Sequence, residues 1–159
     1  MRRMVLGTML IVTLAAGVAV AADAASGWAR MQKLVGTWES TAEGKPYTMT
    51  FQLISGGSAL MESMGAEDMV TMYHLDGERL MMTHYCAAHN QPRMVAEVEP
   101  DGKTIRFKLL DITNLADPQA GHMVRMVLAF EDDDHISEQW TFLKNGKETT
   151  ETFHLTRKK

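Results

Sequence analysis

From Gly36 onward, apolar and polar residues alternate with a period of two, the signature of strands with one buried and one wetted face. The cleanest run sets Tyr47, Met49, Phe51 and Leu53 against Thr48, Thr50 and Gln52. Turn signals recur every eight to twelve residues or so, as in all-β chains. The pattern predicts strands near residues 36–41, 46–54, 58–64, 69–75, 78–86, 92–99, 103–111, 122–131, 134–143 and 147–157. One segment, residues 26–35, has helical spacing instead, with Ser26 as the expected N-cap and Trp28, Met31, Leu34 and Val35 on one side.

A short turn fixes which residues face each other, and facing residues share a side of the sheet. Turning at Gly56-Gly57 sets Leu53 opposite Leu60 and Phe51 opposite Glu62. Asp101-Gly102 sets Val98 against Ile105, Ala96 against Phe107 and Met94 against Leu109. A three-residue turn at Asp132–Asp134 pairs Leu128 with Glu138, and Asn145-Gly146 then pairs Glu138 with Phe153. Asp76-Gly77 is expected to pair Tyr73 with Leu80, Thr71 with Met82 and Met69 with His84. The apolar faces agree from hairpin to hairpin. Roughly ten strands running alternately up and down, after one helix, predict an all-β antiparallel up-and-down barrel closed at one end by that helix. Four of the turns fall at one end. The connections at 42–45, 65–68, 87–91 and 112–121 fall at the other, which is the expected mouth, with Ile112, Leu115 and Pro118 in a flap over it.

Composition narrows the setting. The chain opens with Arg2 and Arg3, an uninterrupted apolar run from Met4 to Ala22, and Ala19-Val20-Ala21 as a small-x-small cleavage sequence. This predicts a signal peptide over residues 1–21, a domain over 22–159, and a periplasmic or secreted protein with no membrane span after cleavage. Removing Arg2 and Arg3 takes the formal charge from −4 to −6, and no basic cluster is denser than Arg157-Lys158-Lys159, so nucleic acid is not an expected partner. Cys86 is the single cysteine and closes no internal disulfide.

Two stretches resemble known proteins. Gly36-Thr37-Trp38, at the start of the first strand and after a short helix, resembles the glycine-x-tryptophan signature of the calycins, the superfamily of lipocalins and fatty-acid-binding proteins. The block MYHLDGERLMMTHYCAAHNQPRM is similar to one in uncharacterised secreted bacterial proteins of lipocalin-like type. The resemblance implies a barrel that holds a small molecule, and Trp38 closing the floor with Arg157 packed over it. Some ten-stranded barrels of this type hold haem through a histidine near the C-terminus. His154 has a similar place, but the Asn145-Gly146 register pairs it with Ser137 on the outer face, so it is rejected as a ligand.

The inward face carries polar residues that a filled core would not need. Glu62, Glu138 and His84 share it with Phe51, Tyr73, Met82 and Trp140. Buried carboxyls are costly unless paired or used. These seven residues are the expected contacts for a small, largely apolar ligand in the cavity, with ordered water around the carboxyls as the plain alternative. Inward Met49, Met64, Met69, Met82, Met94 and Met126 suit adaptable packing around such a molecule as well as simple core filling. The same residues admit an isomerase or hydrolase, with His84 and Glu62 or Glu138 as acid and base. A metal site from His84, Cys86 and His89, or a protein-interaction surface at the mouth, is a further alternative. Met61/Met64, Met69/Met72 and Met123/Met126 are three apart, which on strands puts partners on opposite faces and speaks against copper. No motif in the sequence asks for a cofactor.

Overall fold

The structure, a computed structural model, describes residues 23–42, 45–65 and 68–159; the expected signal peptide lies outside them. Among the described residues no helix is long and apolar enough to cross a membrane. One helix, α1 (Ala24–Gln32), precedes ten strands: β1 (Gly36–Ala42), β2 (Lys45–Ile54), β3 (Ala59–Met64), β4 (Met69–Asp76), β5 (Arg79–Tyr85), β6 (Gln91–Val98), β7 (Thr104–Thr113), β8 (His122–Phe130), β9 (His135–Lys144) and β10 (Lys147–Arg157). All neighbours are antiparallel and the sheet closes on itself with β10 beside β1. The chain is therefore an all-β, ten-stranded up-and-down barrel with a short helix before its first strand.

The helix sits two residues earlier than its side-chain pattern predicts, and its cap differs. Asp23, not Ser26, is the N-cap: its Oδ1 accepts the Ser26 backbone N–H at 2.7 Å. Met31 and Leu34 are buried as expected, but Val35 lies past the last turn and is exposed. The helix rests on the turn end of the barrel. A Cβ added to Gly27 would come within 2.6 Å of Val98 Cγ2 and 3.2 Å of Leu80 Cδ2, so only glycine permits this approach. Beside the helix, fully buried Trp38 donates its indole N–H to the Leu34 carbonyl at 2.7 Å, and the Arg157 guanidinium lies 4.2 Å from the ring centroid. Arg157 also donates to the carbonyls of Lys33 and Val35, tying the last strand to the end of the helix.

Most hairpin registers agree with the turn chemistry, including Phe51 with Glu62, Val98 with Ile105, Leu128 with Glu138 and His154 with Ser137. One differs. The β4–β5 turn is Gly77-Glu78, not Asp76-Gly77, so Asp76 faces Arg79, Tyr73 faces Met82 and Thr71 faces His84. Gly77 at φ +60 with no positive φ at Glu78 fits a turn with glycine at its first central position. The slip is two residues, so every side chain keeps its face and only its cross-strand neighbour changes. His84 thus lies beside Thr71, not Met69, and Met94 lies opposite Met82. On the outer face Arg93 neighbours Thr83 and pairs with Asp111.

The closing seam is short. Among the described residues β1 and β10 pair only at Trp38↔Arg157 and Glu39↔Thr156, both at the floor. Higher up, Tyr47 of β2 stacks on Phe153 of β10 with ring centroids 5.3 Å apart.

Candidate functional site

Strand alternation sends Glu62 (β3), Thr71 and Tyr73 (β4), His84 (β5), and Glu138 and Trp140 (β9) into the barrel, and all six are buried. They form one polar network through the core. Tyr73 donates its hydroxyl to Glu62 Oε2 at 2.6 Å, Trp140 donates its indole N–H to Glu138 Oε2 at 3.1 Å, and Thr71 Oγ1 lies 3.0 Å from His84 Nδ1. The imidazole packs against the Trp140 ring with centroids 4.7 Å apart.

Glu62 and Glu138 meet across the interior. As two carboxylates, each would have an Oε1 with no donor. One proton between them satisfies both. Burial, then the charge of Glu138, hold the Glu62 carboxyl well above the ordinary carboxylate range, while the Tyr73 and Thr71 hydroxyls pull the other way. Burial raises Glu138 to about 7, opposed by hydrogen bonds from Trp140 and Glu62. Both carboxyls are thus raised, and the two titrate as a unit. Burial and the neighbouring carboxyls also push the Tyr73 phenol up, which keeps it a donor. His84 goes the opposite way, lowered to about 4 by burial, and is neutral at pH 7.

Above this network lies a pocket of ≈ 470 Å³ at the mouth. Its apolar walls include Tyr47, Met64, Met69, Met123, Phe142 and Phe153, with Trp140 and His84 beside them. Of the seven sequence-predicted contacts, only His84 and Trp140 line it. Glu62, Glu138, Tyr73, Phe51 and Met82 do not. They pack into the closed part of the barrel, where side chains from facing walls meet. Ile112, Leu115 and Pro118 do not line the pocket either. Ile112 belongs to β7, and the loop after it is held to the 86–90 turn by Asn114 Nδ2 donating to the His89 carbonyl and Asn90 Nδ2 donating to the Gly121 carbonyl.

Several pocket residues were not singled out by sequence reasoning. Tyr47 and Phe142 carry the same alternation signal as the others. Met123 is on the pocket although Met126 is buried three residues on, because the β8–β9 register shifts between Met123 and Arg125 and undoes strict alternation. Thr149, Thr150 and Glu151 line the pocket at consecutive positions, which a strand flanked on both edges would not allow. They lie where β10 has no described pairing with β1.

His84, Cys86 and His89 do not assemble into a ligand set, and among the described residues no group of three or more His, Cys, Asp and Glu side chains has the spacing to hold a metal ion. His84 is turned to Thr71, while His89 is exposed on the loop at φ +64. Burial raises the Cys86 thiol above its usual range, offset in part by the Ala88 N–H. No protein-family model matches the chain, and no curated protein matches it in sequence.

Proposed function

We propose that the chain is a secreted or periplasmic binding protein of calycin type, which holds a small, largely apolar molecule in the mouth pocket. The observation that carries this is the pocket itself, ≈ 470 Å³ and walled by methionine and aromatic side chains at the elaborate end of a closed barrel. That volume lies within the range of about 300–1,000 Å³ usual for small-molecule sites. The apolar leader and the Gly36-Thr37-Trp38 signature support the compartment and the superfamily. Binding is favoured over acid–base chemistry because neither glutamate lines the pocket, and the hydrogen-bond partner of His84 is a hydroxyl, not a carboxylate.

Titration with the neutral fluorophore N-phenyl-1-naphthylamine tests the reading. One saturable site is expected, lost in Thr149→Trp, which shares its face with the pocket wall Phe142 and fills the pocket from there. Unsaturable fluorescence, or an unchanged titration in that variant, would sink the proposal. Native mass spectrometry of protein recovered from a bacterial periplasm should find an N-terminus near Ala22 and a co-purifying small molecule.

A further inference from the structure

The walls of the mouth pocket are one-sided in charge. Along β10, alternation puts Thr149, Glu151 and Phe153 on one face, and Glu151 stands directly opposite Trp140 of β9. Both line the pocket, so the register that buries the Trp140 indole places the exposed Glu151 carboxylate at the edge of the same space. Glu148, one turn of the pleat away, is taken by Arg125. Among the described residues no lysine, arginine or histidine pairs with Glu151. Four aromatic rings, Tyr47, Trp140, Phe142 and Phe153, share the pocket with it, and the faces of such rings are electron-rich. Nothing positive balances them. Burial keeps His84 neutral at pH 7, and among the described residues no lysine or arginine lines the pocket or is buried in the barrel, while the Glu62 and Glu138 carboxyls lie beneath.

We propose that the mouth pocket takes an organic monocation, an alkylated ammonium on an apolar body, with the body among the methionine and aromatic walls and the charge at the rim beside Glu151. This rests on reading the pocket as a binding site, and adds to it the charge of the occupant. An alkylated ammonium suits these walls because its charge is spread over methyl groups that give up little hydration and need no hydrogen-bond acceptor, and ring faces attract it. A carboxylate on the same body would face Glu151 with no basic group to receive it. A metal ion would need several oxygen, nitrogen or sulfur ligands, and among the described residues no such group is assembled.

Three probes sharing a naphthyl body test this by calorimetry at pH 7 and low salt: 2-naphthylmethyl-trimethylammonium, 2-naphthylmethanol and 2-naphthylacetate. The ammonium is expected to bind about tenfold more tightly than the acetate, with attraction and repulsion at the half-solvated carboxylate both contributing. Glu151→Gln keeps the shape of the wall and removes its charge. It should weaken the ammonium about fivefold, tighten the acetate and leave the alcohol as it was. Phe142→Leu keeps an apolar wall without a ring face, and should weaken the ammonium about threefold more than the alcohol. Raising the salt from about 0.01 to about 1 M shortens the screening length from about 30 to about 3 Å, and should erase most of the ammonium's advantage over the acetate. That measurement reads the same charge without any substitution. Acetate bound as tightly as the ammonium would overturn the proposal. So would a ratio of the two that ignores salt, or a loss in Glu151→Gln or Phe142→Leu shared equally by the alcohol. Binding of none of the three would instead overturn the pocket reading on which it rests.

Discussion

Two glycines, one at each end of the barrel, put side by side how the ends differ. At Gly27 a Cβ would strike Val98 and Leu80 where the helix meets the floor, so its absence lets two layers of structure close on each other. At Gly121 a Cβ would fall 2.3 Å from the Phe142 ring, a pocket wall. The floor is built by interdigitation: Trp38 takes a hydrogen bond partner, a cation and the edge of Phe51, its neighbour at 6.5 Å between centroids, and the pocket beside it, ≈ 210 Å³, is less than half the size of the one at the mouth. At the mouth the seam is unpaired among the described residues, β8 is irregular and space remains. With the mouth pocket read as the proposed binding site, the division assigns stability to the floor and recognition to the mouth.

The largest effect that should expose this division is at the floor. Trp38→Ala should cost about 3–5 kcal/mol, as large aromatic truncations do. Urea unfolding measures this; an unchanged midpoint would mean that the floor does not hold the barrel together. Gly27→Ala should cost about 1–3 kcal/mol by overpacking, without altering naphthylamine affinity.

Next comes the layer between the ends. Folded Glu138 keeps its proton up to about 7, whereas an unfolded glutamate loses it near 4.5, so its contribution is full below 4.5 and is lost as pH rises through 7; Glu62 extends the loss to higher pH. His84 works in the opposite sense. Its contribution is full above 6.5 and is lost as pH falls through about 4. Between pH 4.5 and 6.5 the two trends offset. Above 6.5 the glutamates act alone, so the melting temperature should fall from pH 6.5 to 8.5, and Glu138→Gln should flatten that decline. A profile that rises with pH in this window would contradict the shared-proton pair.

At the mouth the signs exchange. Gly121→Ala should lower naphthylamine affinity several-fold by displacing Phe142, while costing less stability than Gly27→Ala, because the tip of one ring moves more easily than a helix. Equal stability losses at the two glycines would erase the distinction. Smallest of all is His89→Ala on the exposed loop, which should change stability by no more than about 0.5 kcal/mol and leave probe binding as it was.

Alternation was enough to read ten strands, their directions and nearly all their inward faces, because period two is a local property. What it does not carry is height. Which inward side chains meet across the interior depends on strand tilt and stagger, set by the closed barrel as a whole. Hence Glu62, Tyr73, Met82 and Phe51 face inward as expected yet lie below the pocket. The slipped β4–β5 turn had the same origin: both registers give the same faces, and only the observed one sets Thr71 beside His84. The β8 irregularity that brings Met123 to the pocket leaves no mark in the residue pattern.

The short seam has a consequence for the order of folding. Each strand in this meander pairs with its neighbour in the chain, so nine of the ten junctions are hairpins whose loop-closure entropy is small. The tenth joins residues 38 and 157, and the Trp38–Arg157 contact forms at that same junction. Nearly all the topological distance in the fold is thus concentrated at one junction. Closure of this seam is expected to limit the rate of folding, and stopped-flow fluorescence of a Trp28→Phe/Trp140→Phe variant, which keeps Trp38 alone, would follow it.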